Sequence, residues 1–253
     1  MPRLLTPLVS SDTHRVHLIM CPFAGGSAAA FSGWRTLSPR GAPAISLVTY
    51  PGRDRLCALP AERSIAALAD RLAHDIQAQP ADIPIVLAGH SMGALVAFET
   101  SRRVQNSDHR LLGVAISGCH APHGRSKRLL SHLNDEAFMA EVIAIGGCPP
   151  ALLASSDFLA LFLPLLRADF YAIESYQRAS PGAEDTLDVP ALLLWGTLDR
   201  EASADEVAAW QAWLPQAGSP IAMPGSHFYP LHDPQRFIQR IMSHFDSALS
   251  STR

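Results

Sequence analysis

A serine at a sharp turn is the feature of this chain that most clearly suggests chemistry. Residues 89–93 read GHSMG, between an apolar run at 83–88 and a helix-like stretch at 94–103. The flanking glycines permit a strained strand-to-helix turn that exposes the hydroxyl of Ser91, and the helix start points its N–H groups and positive dipole end at that oxygen. The alternative is a glycine-punctuated turn with an incidental serine. In this context the pattern predicts nucleophilic catalysis by Ser91.

The base that activates such a serine is expected further along the chain. A serine hydroxyl needs a general base within hydrogen-bond reach, and in this architecture the chain order is serine, acid, histidine. His227 follows a strand-like run, Ser219 to Met223, and a short turn. It would therefore lie at the carboxyl end of a strand, where the catalytic groups of open α/β sheets gather. His232 lies on the same loop, where the start of a surface helix explains it. The sequence favours His227 as the base.

The carboxylate that orients the histidine is predicted by the same argument. Asp199 follows a buried strand-like run, Val189 to Trp195, on a turn that leaves its carboxyl end. Asp205 and Glu206 compete for the role, but their place at the start of the next helix suits stabilisation of the helix dipole. A simple turn aspartate is the alternative for Asp199 itself. The predicted catalytic set is Ser91, Asp199 and His227.

Backbone N–H groups are the expected stabilisers of a negatively charged intermediate. Met92, directly after the nucleophile, would supply one donor from the helix start. The second is expected from the loop after an early strand, which reads CPFAGGS at residues 21–27, and Ala24 is the best single candidate. Glycines there let the backbone approach a bound carbonyl closely. The same loop is a weak candidate for a phosphate loop, because it lacks the required lysine and spacing.

Strands and helices alternate along most of the 253 residues, of which 48% are hydrophobic. This predicts a single α/β domain over residues 1–253, with a mostly parallel central sheet flanked by helices. Helical patterns occupy Ser64 to Ala78 and Asp205 to Trp213. The strand-like runs are Val16 to Met20, Ile45 to Thr49, Ile85 to Ala88, Leu112 to Ser117, Val189 to Trp195 and Ser219 to Met223.

The region at about 121–176 interrupts this alternation and is predicted to be an inserted subdomain that is helical throughout. Its second half begins with a candidate helix cap at 155–157 and continues through apolar residues that include Phe162, Leu166 and Phe170. Packing onto the main core accounts for such a surface. The functional alternative is a lid whose inner face lines an acyl-binding cleft, with these three residues as candidate substrate contacts.

Composition excludes several other classes of function. The formal net charge of −3 gives no general attraction to nucleic acid or to an anionic membrane. The four cysteines form no metal-ligand pattern and are interpreted as reduced, mostly buried thiols. The first residues lack the apolar core of a secretory signal, and the most apolar stretch, Phe158 to Leu166, is too short to cross a bilayer. A cytoplasmic location is therefore expected.

Taken together, several segments make the chain resemble the type II thioesterases that serve nonribosomal peptide and polyketide synthases. They are PFAGGS at 22–27, YPGR at 50–53, GHSMGA at 89–94, GGCPP at 146–150, LLRADF at 165–170 and GSHF at 225–228. One departure is Phe23, where the family often has a histidine. The resemblance implies an α/β-hydrolase fold with a helical lid, and hydrolysis of acyl groups from the phosphopantetheine arm of acyl or peptidyl carrier proteins. A monomer is expected, since a chain of this class can function alone. No metal or dissociable cofactor is expected, because a thiol with a pKa near 8.5 leaves far more readily than an amine.

Two other classes of function, one enzymatic and one noncatalytic, stay open at this point. The same residues could serve a general carboxylesterase, a peptidase or a chain-releasing thioesterase. A noncatalytic module that binds carrier proteins is a further alternative, although three intact catalytic residues argue against it. Five basic residues could meet an acidic carrier protein or the phosphate of its arm, with ordinary solvated charge as the simpler explanation. They are Arg53, Arg55, Arg125, Lys127 and Arg128.

Overall fold

A seven-stranded sheet forms the centre of the molecule. The computed structural model describes residues 2–10, 15–37, 43–146 and 156–250. Neighbouring strands follow the order β1-β3-β2-β4-β5-β6-β7. The strands are β1 Leu5–Val9, β2 His17–Cys21, β3 Ala44–Val48, β4 Ile85–His90, β5 Leu111–Ser117, β6 Ala191–Gly196 and β7 Ile221–Met223.

All the predicted strands are present, and the prediction of a mostly parallel sheet is confirmed. Every neighbouring pair runs parallel except β1 and β3, which are antiparallel. The sequence did not predict β1, because Pro7 interrupts its apolar run. The proline is tolerated since β1 lies at the sheet edge, where one side needs no ladder hydrogen bonds, and the pairing shifts register between Pro7 and Val9.

Helices cover both faces of the sheet. Side chains alternate between the faces, so that Leu87 joins the core beneath α1 and α2, while Val86 joins the core beneath α7. Ser64 caps α1 by accepting a hydrogen bond from the Ala67 N–H. The α-helices are α1 Ile65–Gln77, α2 Met92–Val104, α3 Asp135–Ile145, α4 Ser156–Ser175, α5 Ala204–Ala208, α6 Tyr229–His232 and α7 Pro234–Ser250.

The prediction that residues 121–176 are helical throughout is wrong for the first part of that segment. The described helices there are α3 and α4, whereas residues 121–134 form turns and irregular backbone. A side chain replaces helical hydrogen bonding in this stretch: the carboxylate of Glu174 accepts the N–H groups of Leu130, at 2.6 Å, and Ser131, at 3.0 Å. The predicted helix cap at Ser155 lies outside the described residues.

The described cysteines are free thiols in two environments. Cys21 and Cys119 are buried, and burial raises the pKa of both thiols. Cys57 is exposed, so two of the three described thiols are buried, in line with the expectation of mostly buried thiols, and Cys148 lies outside the described residues. Within the described ranges, no helix combines the length and apolar character needed to cross a membrane.

Phe98 on α2 provides a test of how the helical layer packs. Its side chain is fully buried, with ring centroids 5.1 Å from Trp210 and 5.6 Å from Trp213. We expect Phe98→Ala to lower the free energy of unfolding by about 3–5 kcal/mol, because the lost ring leaves a cavity among rigid neighbours. Urea denaturation measures the change. As a control, Leu161→Ala truncates a side chain that is 80% exposed and should change stability by less than about 0.5 kcal/mol.

Candidate active site

Four loops meet at the carboxyl edge of the parallel strands. They follow β2, β4, β6 and β7, and they carry the residues that the sequence analysis selected. A pocket of about 80 Å³ opens between them, lined by Ala24, Ser91, Met92 and His227 among other residues. The sheet order explains the convergence, because β2 and β4 are neighbours and β6 and β7 are neighbours.

The turn at Ser91 has the strained backbone that the GHSMG pattern predicts. Ser91 has a φ of 54°, which residues with side chains rarely adopt. Gly89 and Gly93 make the turn possible: a Cβ on Gly89 would lie 2.0 Å from the Gly93 carbonyl oxygen, and a Cβ on Gly93 would lie 2.0 Å from that of Cys21. The Ser91 side chain does not cap α2. Its hydroxyl therefore remains available beside the helix start.

Asp199 and His227 are joined by a hydrogen bond of 2.8 Å between Asp199 Oδ2 and His227 Nδ1. The other oxygen of Asp199 accepts the N–H groups of Glu201, at 2.8 Å, and Ala202, at 3.2 Å. Burial alone would raise the pKa of Asp199, but the hydrogen bonds and the charge of His227 outweigh it, so that the pKa lies below its ordinary value. The carboxylate is thus held ionised against the imidazole.

Ser91 and His227 line the same pocket. Among the described residues, no hydrogen bond joins the Ser91 hydroxyl to the His227 ring. Catalytic hydrogen bonds are often long in unliganded sites and tighten only when substrate binds. The structure thus places Ser91 and His227 on one pocket and joins Asp199 to His227, which is one of the two hydrogen bonds that a proton relay requires.

The loop after β2 forms a tight turn around Ala24. The Gly26 N–H donates to the Phe23 carbonyl at 2.8 Å, and Gly25 has a φ of +76°, as the third residue of a type II turn requires. The Gly25 N–H donates to Asp169 Oδ2 at 2.7 Å. The N–H groups of Gly25 and Gly26 are therefore occupied, and both Ala24 and Met92 line the pocket, as expected for an oxyanion hole.

A buried histidine that the sequence analysis did not single out lies behind His227. The ring centroids of His90 and His227 are 4.8 Å apart. His90 Nδ1 shares a hydrogen bond of 2.9 Å with Ser117 Oγ, which also bonds the hydroxyl of Tyr229. Burial, aided by the charge of His227, lowers the pKa of His90 to about 3. In the sequence, only its place beside the nucleophile in GHSMG indicated that His90 could belong to the site.

A second, apolar cavity of about 40 Å³ adjoins the first. The three candidate lid residues, Phe162, Leu166 and Phe170, all line it, together with Val142 and Ile145, which were not predicted. Phe170 and Ile145 line both cavities, so they form part of the wall between the apolar cavity and the pocket of Ser91.

Phe23, the departure from the family pattern, has a packing role. Its ring lies 5.0 Å from that of Phe228 and 5.9 Å from that of Phe31. It also lines both cavities. A phenyl ring here therefore joins the apolar wall of the site.

The competing acid and base candidates lie elsewhere. His232 is exposed at the end of α6. Asp205 and Glu206 occupy the first turn of α5, where the Glu206 carboxylate completes a capping box with Ser203. Neither location borders the pocket of Ser91.

Most of the five basic residues are paired with other groups of the chain. Arg53 fits neither of the two explanations considered for these residues, a contact with a carrier protein or ordinary solvated charge. Its side chain is 4% exposed and forms a buried ion pair with Asp169, so it is neither solvated surface nor a free contact for a partner. Lys127 and Arg128 line the pocket, where Lys127 pairs with Glu206 at 2.7 Å, and Arg128 pairs with Glu201 at 2.9 Å and also with Glu141.

The two remaining basic residues differ from each other. Arg55 bonds Thr6 Oγ1, at 2.9 Å, and the backbone of β1. Arg125 is exposed. Arg55 therefore secures the edge strand.

Comparison with known proteins identifies the family. A family profile described as a thioesterase domain matches residues 16–248. The chain belongs to the thioesterase family. It is 38% identical over 244 residues to the probable anguibactin biosynthesis thioesterase AngT of Vibrio anguillarum, an alignment that covers 94% of this chain and 96% of AngT.

Solved structures agree with this assignment. The chain is 48% identical to YbtT, a type II thioesterase from the yersiniabactin pathway, with a TM-score of 0.91 over 97% of this chain and 99% of YbtT. One YbtT structure is that of a serine-to-alanine mutant. BorB, the type II thioesterase from the borrelidin cluster, is 30% identical, with a TM-score of 0.80 over 93% of this chain and 94% of BorB. These neighbours have the α/β-hydrolase fold, which confirms the predicted fold class.

The buried His90 should make the stability of this thioesterase depend on pH. Between about pH 6.5 and 3, the unfolded chain binds a proton at this imidazole that the folded chain does not bind. The free energy of unfolding should therefore fall as the pH falls, by about 1.4 kcal/mol per pH unit from this group. We expect His90→Asn, which can still bond Ser117, to reduce the slope between pH 6 and 4 by about one proton in urea titrations. An unchanged slope would contradict the prediction.

Proposed function

We propose that this chain is a type II thioesterase that hydrolyses acyl groups from the phosphopantetheine arm of carrier proteins. The observation that carries the proposal is that Ser91 and His227 line one pocket, with the hydrogen bond between Asp199 and His227 already formed. The likeness to AngT and YbtT, thioesterases named for siderophore pathways, supports the class of substrate. The proposed role is removal of stalled or wrongly primed acyl groups.

The proposed reaction begins at the thioester carbonyl carbon. His227 Nε2 takes the proton of the Ser91 hydroxyl as the oxygen attacks, and Asp199 stabilises the imidazolium through the Nδ1 hydrogen bond. The N–H groups of Met92 and Ala24 would bind the tetrahedral oxyanion. Collapse of this intermediate breaks the carbon–sulfur bond, and His227 returns the proton to the departing thiolate. The acyl group is then an ester of Ser91.

Water completes the cycle by the same route in the second half-reaction. His227 removes a proton from water, the hydroxide attacks the ester carbonyl, and the serine oxygen leaves with that proton. The products are a carboxylic acid and the free serine. Because a thiol such as that of cysteine has a pKa near 8.5, far below that of an alcohol or an amine, the thiolate is a good leaving group, so we propose a mechanism without a metal or a dissociable cofactor.

The shape of the site favours small acyl groups on a long, flexible arm. The two adjoining cavities, of about 80 and 40 Å³, are well below the roughly 300 Å³ of ordinary ligand pockets. We propose that the apolar cavity bounded by Phe162, Leu166 and Phe170 receives the acyl chain, and that α3 and α4 act as the lid of a single domain. We also propose that the chain acts as a monomer.

The nucleophile can be tested by comparing two substrates. We expect Ser91→Ala to reduce hydrolysis of an acetyl carrier protein by at least about 10³-fold while the protein still folds, because Ser91 contributes chemistry more than packing. Release of free thiol measures turnover, and circular dichroism measures folding. Near-normal hydrolysis by the variant would exclude Ser91 as nucleophile. If the wild-type chain hydrolyses a free short-chain ester well and the carrier substrate poorly, a general esterase is the better assignment.

The acid can be tested separately. We expect Asp199→Asn to lower kcat by roughly 10³- to 10⁴-fold, because the amide favours the wrong imidazole tautomer and cannot stabilise its charge. The same thiol-release assay measures it, and Asp205→Asn is the matched control, since that carboxylate lies in the first turn of α5 and Asp199 is the one bonded to His227. A small effect of Asp199→Asn on kcat would assign the orienting acid elsewhere.

A further inference from the structure

A buried ion pair connects the helix α4 to the turn that carries the Ala24 N–H. Asp169, on α4, is 1% exposed, and Arg53 is 4% exposed. The two side chains meet as a fork: Arg53 Nη2 donates to Asp169 Oδ1 at 2.7 Å, and Arg53 Nη1 donates to Asp169 Oδ2 at 2.9 Å. A bidentate pair of this kind fixes the orientation of both groups, not only their separation.

Both members of the pair also hold the turn directly. Asp169 Oδ2 accepts the Gly25 N–H at 2.7 Å, and Arg53 Nη1 donates to the Gly26 carbonyl at 3.2 Å. The Gly25 N–H belongs to the central peptide of the turn from Phe23 to Gly26. In a type II turn this peptide has the opposite orientation to that in a type I turn. The hydrogen bond to Asp169 therefore selects one of the two conformations of the turn.

The surroundings of the pair support the same segment. The Tyr50 hydroxyl donates to the Pro22 carbonyl at 3.2 Å, and the Arg53 guanidinium lies 5.1 Å from the centre of the Tyr50 ring. Asp54 Oδ2 accepts the N–H of Ala28 at 2.9 Å. The whole of 22–28 is therefore anchored by residues 50–54 and by α4, and Ala24 lies in the middle of the anchored stretch.

The charges of the pair matter as well as its geometry. A carboxylate bonded to the Gly25 N–H, one residue from the proposed oxyanion donor, would oppose a developing negative charge. Arg53 cancels that charge within the buried pair. The carboxylate can therefore hold the turn without its charge destabilising the oxyanion.

We infer that Arg53 and Asp169 are positioning residues that set the oxyanion-binding turn in its active conformation and make that conformation depend on the place of α4. The inference rests on the proposed hydrolysis at Ser91. Neither side chain lines the pocket of Ser91, so the pair acts through the peptide between Ala24 and Gly25. Its loss should then affect kcat more than KM.

Two double variants isolate the hydrogen bond to Gly25. Replacing Arg53 by Met removes the buried cation, and Asp169→Asn or Asp169→Leu then places a neutral side chain of nearly equal size on α4. Asparagine keeps an oxygen that can accept the Gly25 N–H, and leucine does not. Neither double variant leaves an unpaired buried charge, and apolar replacements of buried ion pairs often preserve stability. The comparison therefore measures the acceptor itself.

We expect kcat for an acyl carrier substrate to be at least about tenfold lower in R53M/D169L than in R53M/D169N, with KM values within about threefold. A boronic acid that forms a tetrahedral adduct with Ser91 should lose affinity in parallel with kcat. Equal kcat values and equal boronate affinities in the two double variants would overturn the inference. Asp135→Asn is the control, because it breaks the ion pair of Asp135 with Arg167 on α4 without touching the turn.

Two measurements keep the test decisive. If R53M/D169L does not fold, Arg53→Lys keeps a buried cation but replaces the fork by a single donor, and kcat should still fall about tenfold with little change in KM. An unchanged kcat in that variant would overturn the inference. Labelling of Ser91 by a fluorophosphonate counts folded sites. Failure of the wild-type chain to hydrolyse any carrier thioester refutes the proposed function instead, and the two failures are thereby distinguished.

Discussion

The strained turn at Ser91 is the constraint on which the site depends. A positive φ at a residue with a side chain is unfavourable, and here it is held by contacts that leave no room for a Cβ at Gly89 or Gly93. The same close contact brings the start of α2 against the carbonyl of Cys21, at the end of β2. One packing arrangement therefore leaves the hydroxyl available, places Met92 at the start of α2 beside it and brings this turn against the end of β2, from which the loop with Ala24 continues.

Much of the fold could be predicted because its strands are buried and its helices amphipathic. The parallel strands appeared as short apolar runs, and the stripe from Ile65 to Ile76 indicated α1. Two parts of the fold were not predicted, for physical reasons. Pro7 interrupts the apolar pattern of β1, although a proline is tolerated in an edge strand. The irregular segment 121–134 satisfies backbone N–H groups through the side chain of Glu174. Local pattern does not reveal a hydrogen bond to a carboxylate more than forty positions away.

In the candidate site, too, some residues could be predicted from the sequence and others could not. Chain order and the ends of strands were sufficient to select Asp199 and His227, and the structure brings them within hydrogen-bond distance. His90 and the Arg53–Asp169 pair could not be assigned, because the burial of a polar side chain depends on tertiary neighbours that the sequence does not display. Arg53 and Asp169 belonged to motifs noted for their resemblance to a family, yet nothing in either motif indicated that the two residues touch.

The pairing of the basic residues with acidic side chains has a consequence for product release. Hydrolysis of a thioester at Ser91 would turn a neutral acyl group into an anion inside the pocket. Within the described lining, Lys127 is already paired with Glu206 and Arg128 with Glu201. A newly formed carboxylate would then meet cations that are already paired, which favours its release into water over retention in the pocket.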